Sequence, residues 1–224
     1  MKINRILAIE SSGINSGIAI GTINELIYET SLYLRHSHDE TLAYQIKQTL
    51  EFLNLEISDI DAVAVSSGPG SFTGLRVGSA IAKGITFGEV PKLIDVPTMN
   101  SFAFAASEFA NILDVKSIFV IIPSNKDYYF VSEHNKSGNL IKEPILYSKE
   151  DVQKMNLDLN LVCGTGANDF KGNNYQLSEL NRLTPRFILK FAQLKYVEKE
   201  FVKSELFKPQ YFQDFKPTQK KVDK

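Results

Sequence analysis

The residues with the clearest chemical potential form a glycine-rich segment from Ser66 to Arg76, which reads Ser-Ser-Gly-Pro-Gly-Ser-Phe-Thr-Gly-Leu-Arg. The segment joins an apolar run to a predicted helix, where backbone N–H groups and the helix dipole favour an anion. It is not a P-loop, because no Gly-Lys-Ser/Thr follows Gly68. The glycines at 68, 70 and 74 are also one residue too widely spaced for the dinucleotide fingerprint. Two interpretations stay open, a phosphate-proximal loop and a tight turn before a well-capped helix.

A second candidate is the acidic turn Glu10-Ser11-Ser12, which ends the first predicted strand. In nucleotide-binding folds of the actin and hexokinase type, an acid and hydroxyls at this place hold phosphate and metal. Ordinary turn residues fit the pattern equally well.

The histidines and the cysteine do not form a metal-binding pattern. His36 and His38 have no third ligand close in sequence, His134 stands alone, and the His-Glu-x-x-His motif is absent. Cys163 is the only cysteine, so no internal disulfide can form, and we interpret it as a buried small hydrophobic residue. We therefore expect no metal site.

The helix predicted from Phe72 to Phe87 has almost no polar surface, because Arg76 and Lys83 are its only charged residues. Its three glycines, at 74, 78 and 84, should together cost roughly 2–3 kcal/mol of helix propensity relative to alanine. A helix that is apolar all round is buried all round. Either another layer of the chain covers it or a partner protein does, and we favour the partner.

Composition excludes several classes of protein. The 224 residues carry 25 Lys+Arg and 26 Asp+Glu, a net charge of −1, which argues against a strongly basic nucleic-acid module but not against a local patch. No apolar run reaches 18 residues, so no membrane span is expected. We expect a cytoplasmic protein.

The elements that position these residues alternate as β-β-β-α-β-α-β-α, which predicts a mixed sheet with antiparallel strands first and parallel crossovers after. The first helix, from about 39 to 53, carries one apolar stripe and can be capped by Ser37 or Asp39. The opening pattern recurs in weaker form after residue 117. Later strands are predicted over 117–123, 128–133, 140–147 and 159–163, and a helix over 182–201. We predict an N-terminal lobe over 1–110 and a smaller C-terminal lobe over 111–224 that ends in a flexible, lysine-weighted tail.

Several of these segments resemble the bacterial TsaB (YeaZ) family. They are Ile6-Leu7-Ala8-Ile9-Glu10-Ser11-Ser12, Arg35-His36-Ser37, the glycine segment from Ser67 to Gly78, Gly84-Ile85-Thr86-Phe87 and Pro97-Thr98. The resemblance is strong over about residues 5–105 and weak beyond. Glu10 departs from it, since the family usually has Asp there, and this weakens any role in holding metal and phosphate.

The resemblance implies an α/β protein with a two-lobed actin-like (ASKHA/ribonuclease-H-like) fold, in which mixed sheets are flanked by helices. It implies a non-catalytic subunit that binds and activates a TsaD-like catalytic subunit, which transfers a threonylcarbamoyl group to the adenosine next to the tRNA anticodon. A TsaE-like ATPase would join the pair, and the chain would contact tRNA only indirectly, through the complex. The chain alone would form a homodimer. No tightly bound cofactor is expected, and ATP or ADP would lie at the interface with the partner. The alternatives are an ATP-dependent phosphotransferase of the same fold and a glycoprotease-like peptidase, although no nucleophile–base pair is recognisable.

Two sets of site residues follow, with no catalytic residue among them. The predicted partner interface comprises Leu42, Ile46, Gly74, Val77, Gly78, Ile81 and Ile85. The predicted nucleotide-proximal loop comprises Glu10, Ser11, Ser12, Gly68, Gly70, Ser71, Thr73 and Arg76.

Overall fold

A computed structural model describes residues 4–33, 38–88 and 90–210. Its first sheet contains five strands in the order β3-β2-β1-β4-β5. They are β1 (Arg5–Glu10), β2 (Ser16–Thr22), β3 (Leu26–Leu32), β4 (Ala62–Ser66) and β5 (Lys92–Val96). Strands β1 to β3 are antiparallel, whereas β4 pairs in parallel with both β1 and β5. The predicted mixed sheet is confirmed.

The second sheet repeats this arrangement in shorter form, in the order β8-β7-β6-β9. Its strands are β6 (Ser117–Pro123), β7 (Tyr128–Asn135), β8 (Leu140–Ser148) and β9 (Leu161–Cys163). Three consecutive antiparallel strands are again followed by a strand parallel to the first of them. The predicted repeat after residue 117 is confirmed. The prediction that β9 starts at Leu159 was wrong, because Leu159 has a positive φ of 56° and ends a turn.

The described residues form five α-helices. They are α1 (His38–Phe52), α2 (Phe72–Ile85), α3 (Thr98–Ile112), α4 (Lys149–Gln153) and α5 (Pro185–Val197). Helix α2 ends two residues earlier than predicted, where Thr86 caps it and Gly88 turns the chain with a positive φ of 92°. Helix α5 is shorter than predicted, since it begins only at Pro185, which suits a first helical position, and ends at Val197.

The first sheet is covered on both faces. Helices α1 and α2 pack on one face over Leu7, Ile9 and Val63, and α5 packs on the other. Helix α3 lies against α5 and against β6 and β9, so one apolar core runs from the first sheet to the second. The division into lobes 1–110 and 111–224 stays a prediction, but α5 belongs by packing to the first sheet.

None of the helices in the described ranges has both the length and the apolar character that a membrane-spanning segment requires. The predicted cap Ser37, the side chain of Asp39 and the tail 211–224 lie outside what the structure describes.

Candidate functional site: a glycine loop and an exposed helix face

The two sequence motifs meet at one edge of the first sheet. Because β1 and β4 are parallel neighbours, their carboxyl ends lie side by side. The turn after β1 therefore contacts the loop after β4, and Ser71 N donates to Ser12 O at 2.7 Å. The structure thus brings the predicted loop residues together.

The carboxyl group of Glu10 is fully buried and is bound by its own turn. Oε1 accepts hydrogen bonds from Ser12 N at 2.6 Å, Ser12 Oγ at 2.7 Å and Gly13 N at 3.2 Å. Oε2 is buried and has no hydrogen-bond partner among the described residues. Burial raises the pKa of Glu10 to about 7, against the hydrogen bonds that lower it. The N–H groups of Ser12 and Gly13 are thus bound by this side chain and cannot bind a phosphate.

Contacts within the chain explain why most of the glycine positions in the loop require a glycine. A Cβ on Gly70 would overlap the carbonyl oxygen of Ser12. Gly68 has a φ of 110°, and its N–H donates to Thr98 Oγ1 at 3.1 Å. The loop is therefore held in place by the turn 11–13 and by the start of α3.

The loop leads directly into α2. Ser71 Oγ accepts a hydrogen bond from Gly74 N at 3.3 Å, which confirms the predicted well-capped helix. Thr73 and Arg76 are exposed at this end, and the Arg76 guanidinium stacks over the Phe72 ring, 3.8 Å from its centre. A cation and an exposed hydroxyl thus stand at the start of α2.

Four of the predicted interface residues are buried within the chain. Leu42 and Ile46 belong to the core between α1 and the first sheet. Gly74 and Gly78 pack on Ser11, since an added Cβ would overlap its carbonyl and its hydroxyl oxygen respectively. None of these four offers an exposed surface in the chain by itself, and their contact with a partner stays a prediction. The prediction for the half-buried Val77, Ile81 and Ile85 stands as a prediction.

The outward side of α2 is exposed, and we call it the α2 face, defined by Thr73, Arg76, Ala80 and Gly84. An added Cβ on Gly84 would meet no atom within 4 Å. Among the described residues no other layer covers this side of α2, so one side of a largely apolar helix is open to solvent, and its cover by a partner stays a prediction.

The sequence patterns did not single out two aromatic residues on α1. Tyr44 is 63% exposed and Phe52 is 73% exposed. The signal was available, since both lie off the stripe of Leu42, Ile46, Leu50 and Leu53. The Phe52 ring lies 5.8 Å from the Tyr28 ring of β3, between centres, so it is on the side of α1 that faces β3.

The other candidates lie away from this site. His134 is buried beside the Ser132 hydroxyl and the Gly138 carbonyl, and burial lowers its pKa to about 4. Burial raises the pKa of the Cys163 thiol. His36 and the side chain of His38 lie outside the described residues. Within the described ranges, no three His, Cys, Asp or Glu side chains are placed to share a metal ion.

Two cavities lie elsewhere on the molecule. One cavity, of about 180 Å³, lies between residues 201–204 and the segment that joins α2 to β5. The other, of about 450 Å³, lies where β7 and β8 meet α4. Neither is lined by the predicted loop residues.

The fold defines a class before any sequence comparison. Two mixed sheets, each opening with three antiparallel strands and flanked by helices, form the two-lobed actin-like arrangement, so the predicted fold class is confirmed. The structure titled YeaZ from Pseudomonas aeruginosa superimposes with a TM-score of 0.76 at 19% identity, over 93% of this chain and 100% of that one.

Sequence comparison adds the family. A tRNA threonylcarbamoyladenosine biosynthesis protein TsaB from Haemophilus influenzae is 27% identical over 206 residues, 86% of this chain and 84% of that protein. The family model described as TsaD, tRNA N6-adenosine threonylcarbamoyltransferase, matches residues 33–133. A transferase of that name from Ligilactobacillus salivarius is 34% identical over 102 residues, 46% of this chain and 29% of its own length.

The similarity to several curated TsaB proteins, one of them over most of both chains, supports the TsaB/YeaZ family for this chain. The family relation supports a role in tRNA threonylcarbamoyladenosine biosynthesis.

Proposed function

We propose that this chain is a non-catalytic subunit that binds a TsaD-like threonylcarbamoyltransferase through the α1–α2 layer and activates it. The observation that carries the proposal is the α2 face, the exposed side of a largely apolar helix. Exposed apolar surface of this kind, rimmed by polar residues, is typical of protein interfaces.

The similarity to transferases supports the choice of partner. The match to the TsaD family covers 33–133, which includes α1, α2 and α3. Two related lobes that each present the same pair of helices can pack about an approximate two-fold axis, as identical subunits do. The same geometry supports a homodimer of the chain alone.

The absence of a catalytic role is supported by the state of Glu10. Its carboxyl group is buried and bound to its own turn. In a phosphotransferase this carboxyl group would have to be accessible in order to hold metal and phosphate. Turnover of ATP by the isolated chain that is lost in Glu10→Gln would reverse this part of the proposal.

We place ATP or ADP at the rim of the interface, beside the start of α2. Thr73 and Arg76 are exposed there, next to the helix N-terminus. A TsaE-like ATPase would act on the assembled pair, tRNA would be met through the complex, and the site of action would be the cytoplasm. Thr73→Ala tests the proposed nucleotide site, since it removes an exposed hydroxyl and leaves the helix cap at Ser71 intact. It should reduce any gain in partner affinity that ATP produces, and an unchanged gain would remove the nucleotide from this site.

The interface is tested with Ala80→Arg, in the middle of the α2 face. The residue is exposed, so the chain should fold, while the affinity for the TsaD-like protein should fall at least about tenfold, which corresponds to about 1.4 kcal/mol. Gln153→Arg on α4 is the matched control, since Gln153 is also an exposed helix residue. Formation of threonylcarbamoyladenosine in tRNA, measured with and without the chain, should fall for Ala80→Arg only. Wild-type affinity for Ala80→Arg would refute the interface.

A further inference from the structure

The buried carboxyl group of Glu10 is connected to the start of α2 by a short series of hydrogen bonds. Its Oε1 accepts from Ser12 N at 2.6 Å, from Ser12 Oγ at 2.7 Å and from Gly13 N at 3.2 Å. The carbonyl oxygen of Ser12 accepts the N–H of Ser71 at 2.7 Å. Ser71 is the N-cap of α2, because its Oγ accepts the N–H of Gly74 at 3.3 Å. The carboxyl group therefore holds the turn against which α2 begins.

The second oxygen of this carboxyl group lacks a partner. Glu10 is fully buried, and its Oε2 makes no hydrogen bond to any described residue. A buried carboxylate needs hydrogen bonds or an opposite charge to offset the loss of water, and without them burial favours the neutral form. The closed arrangement of the turn therefore favours a protonated Glu10.

The groups that act on this carboxyl group carry no charge. Apart from burial, Ser12, Ser66 and Gly13 are the groups in the described part of the chain that shift its pKa. Asp95 of β5 pairs with Val65, which belongs to the core under α1 and α2, so its side chain extends from the opposite face of the sheet. An ionised Glu10 would therefore have no opposite charge beside it.

The charged side chains of the neighbouring helices are engaged elsewhere. Helix α5 packs on the same face of the sheet as Glu10, and its arginine and lysines pair with Glu29, Glu108 and Glu200. On α2, Arg76 stacks over the Phe72 ring and Lys83 donates to Phe207 O. The first turn of α3 contains no acidic residue. The proton on Glu10 therefore sets the charge of this site.

We propose that Glu10 is a proton-dependent latch for the start of α2. With its proton bound, Glu10 keeps the turn 11–13 closed against α2. Loss of the proton draws water to Oε2 and loosens the turn together with the Ser71 cap, so that the protein partner binds the α2 face less tightly. Glu10 is thus a positioning residue, because it acts on α2 through Ser12 and Ser71. The effect on the partner rests on the proposed function, whereas the loosening of the turn does not.

The size of the effect follows from proton linkage. Burial raises the pKa of Glu10 from 4.5 to about 7, so an opening that returns the carboxyl group to water becomes more favourable as the pH rises. Between pH 6 and pH 8 the equilibrium constant for such an opening should increase about tenfold.

Amide hydrogen exchange measured by NMR tests the latch. The protection of the Ser71 N–H, corrected for the intrinsic pH dependence of exchange, should fall about tenfold from pH 6 to pH 8. In Glu10→Gln, which has no proton to lose, it should be the same at both pH values. Ser12→Ala removes a hydrogen bond that lowers the pKa of Glu10, so the fall should extend to higher pH. Equal protection of the wild-type Ser71 N–H at pH 6 and pH 8 would overturn the proposal.

The N–H of Gly164 is the matched control. It donates to Leu180 O at 2.9 Å in the loop after β9, outside the contacts of Glu10 described above. Its protection should be the same at both pH values. If Ser71 and Gly164 had the same protection and the same fall, exchange would proceed by global unfolding, and a local latch would be refuted.

The affinity for the TsaD-like protein then tests whether the latch acts on the partner. The wild-type chain should bind less tightly at pH 8 than at pH 6, by up to about tenfold, and Glu10→Gln should lack this difference. Comparison of the two chains removes the contribution of groups on the partner that titrate in the same range. If both chains showed the same pH dependence, control of the partner by Glu10 would be refuted. If neither chain bound at either pH, the proposed function would fail, while hydrogen exchange would still decide whether the latch exists.

Discussion

Replacing each of the three glycines of α2 by alanine adds one methyl group, and the effect on the stability of the chain should differ from one position to the next. At Gly74 a Cβ would overlap the carbonyl oxygen of Ser11, and the adjoining Ser12 carbonyl accepts the Ser71 N–H, so this backbone cannot easily move. At Gly84 a Cβ would meet no atom within 4 Å. The two positions share a helix and an amino-acid type and differ in what they contact.

The magnitudes follow from two opposing effects. Replacing glycine by alanine within a helix gains about 1 kcal/mol of propensity. Overpacking against a fixed backbone costs about 1–3 kcal/mol and must outweigh that gain at Gly74. We expect Gly74→Ala to destabilise the chain by up to about 2 kcal/mol and Gly84→Ala to stabilise it by up to about 1 kcal/mol. Gly78→Ala should fall between them, because there the overlap is with the Ser11 hydroxyl, which can rotate.

Urea unfolding followed by circular dichroism measures all three variants. A change in the midpoint at constant slope reports a change in the free energy of unfolding. For a chain of this length, 1 kcal/mol corresponds to a shift of about 2–4 °C in Tm. If Gly74→Ala were as stable as Gly84→Ala, the close packing of α2 on the turn after β1 would be refuted.

The other predictions concern buried ionisable groups and one ion pair. The pKa of Glu10 is about 7 in the folded chain and near 4.5 when unfolded, so stability falls as the pH rises from about 4.5 to 7. Glu10→Gln should remove this loss, on the order of 3 kcal/mol between pH 5 and 8, and an unchanged pH profile would contradict the burial. The pKa of His134 is about 4 when folded against 6.5 when unfolded, so stability is lost as the pH falls from 6.5 to 4. His134→Gln should flatten that limb, and NMR should show no titration of the His134 imidazole above pH 5. Glu29→Ala, which removes an ion pair between β3 and the exposed Arg186 of α5, should lower stability by about 1 kcal/mol; a cost near zero would show that solvent screens the pair.

Local patterns were enough to predict much of the fold. Apolar runs with short turns predicted β1 to β3, and the helical stripe that includes Leu42 and Ile46 predicted α1. Such patterns depend on periods of two and 3.6 residues, which the chain carries without knowledge of its neighbours. The boundaries were less certain, and α5 proved shorter than its apolar pattern.

The sequence predicted where the candidate site lies, but it did not predict which of the site residues are exposed. The sequence placed Glu10 and the glycine loop at strand ends, and parallel pairing of β1 with β4 brought them into contact. The sequence did not show that Glu10 is fully buried and bound to its own turn. That depends on the packing of the loop against the turn in the folded chain.

Only the tertiary structure decided which glycines face inward. In the sequence Gly74, Gly78 and Gly84 have the same character, and the first two were placed in the predicted partner interface. Packing divides them, because the turn at Ser11 fills the space beside the first two and leaves Gly84 open. A periodic pattern fixes which residues share a face of a helix, whereas the atoms that cover that face come from segments distant in the chain. The sequence by itself therefore determined the elements, the strand-end position of the loop and the family resemblance, and the fold decided which surface remains for another molecule.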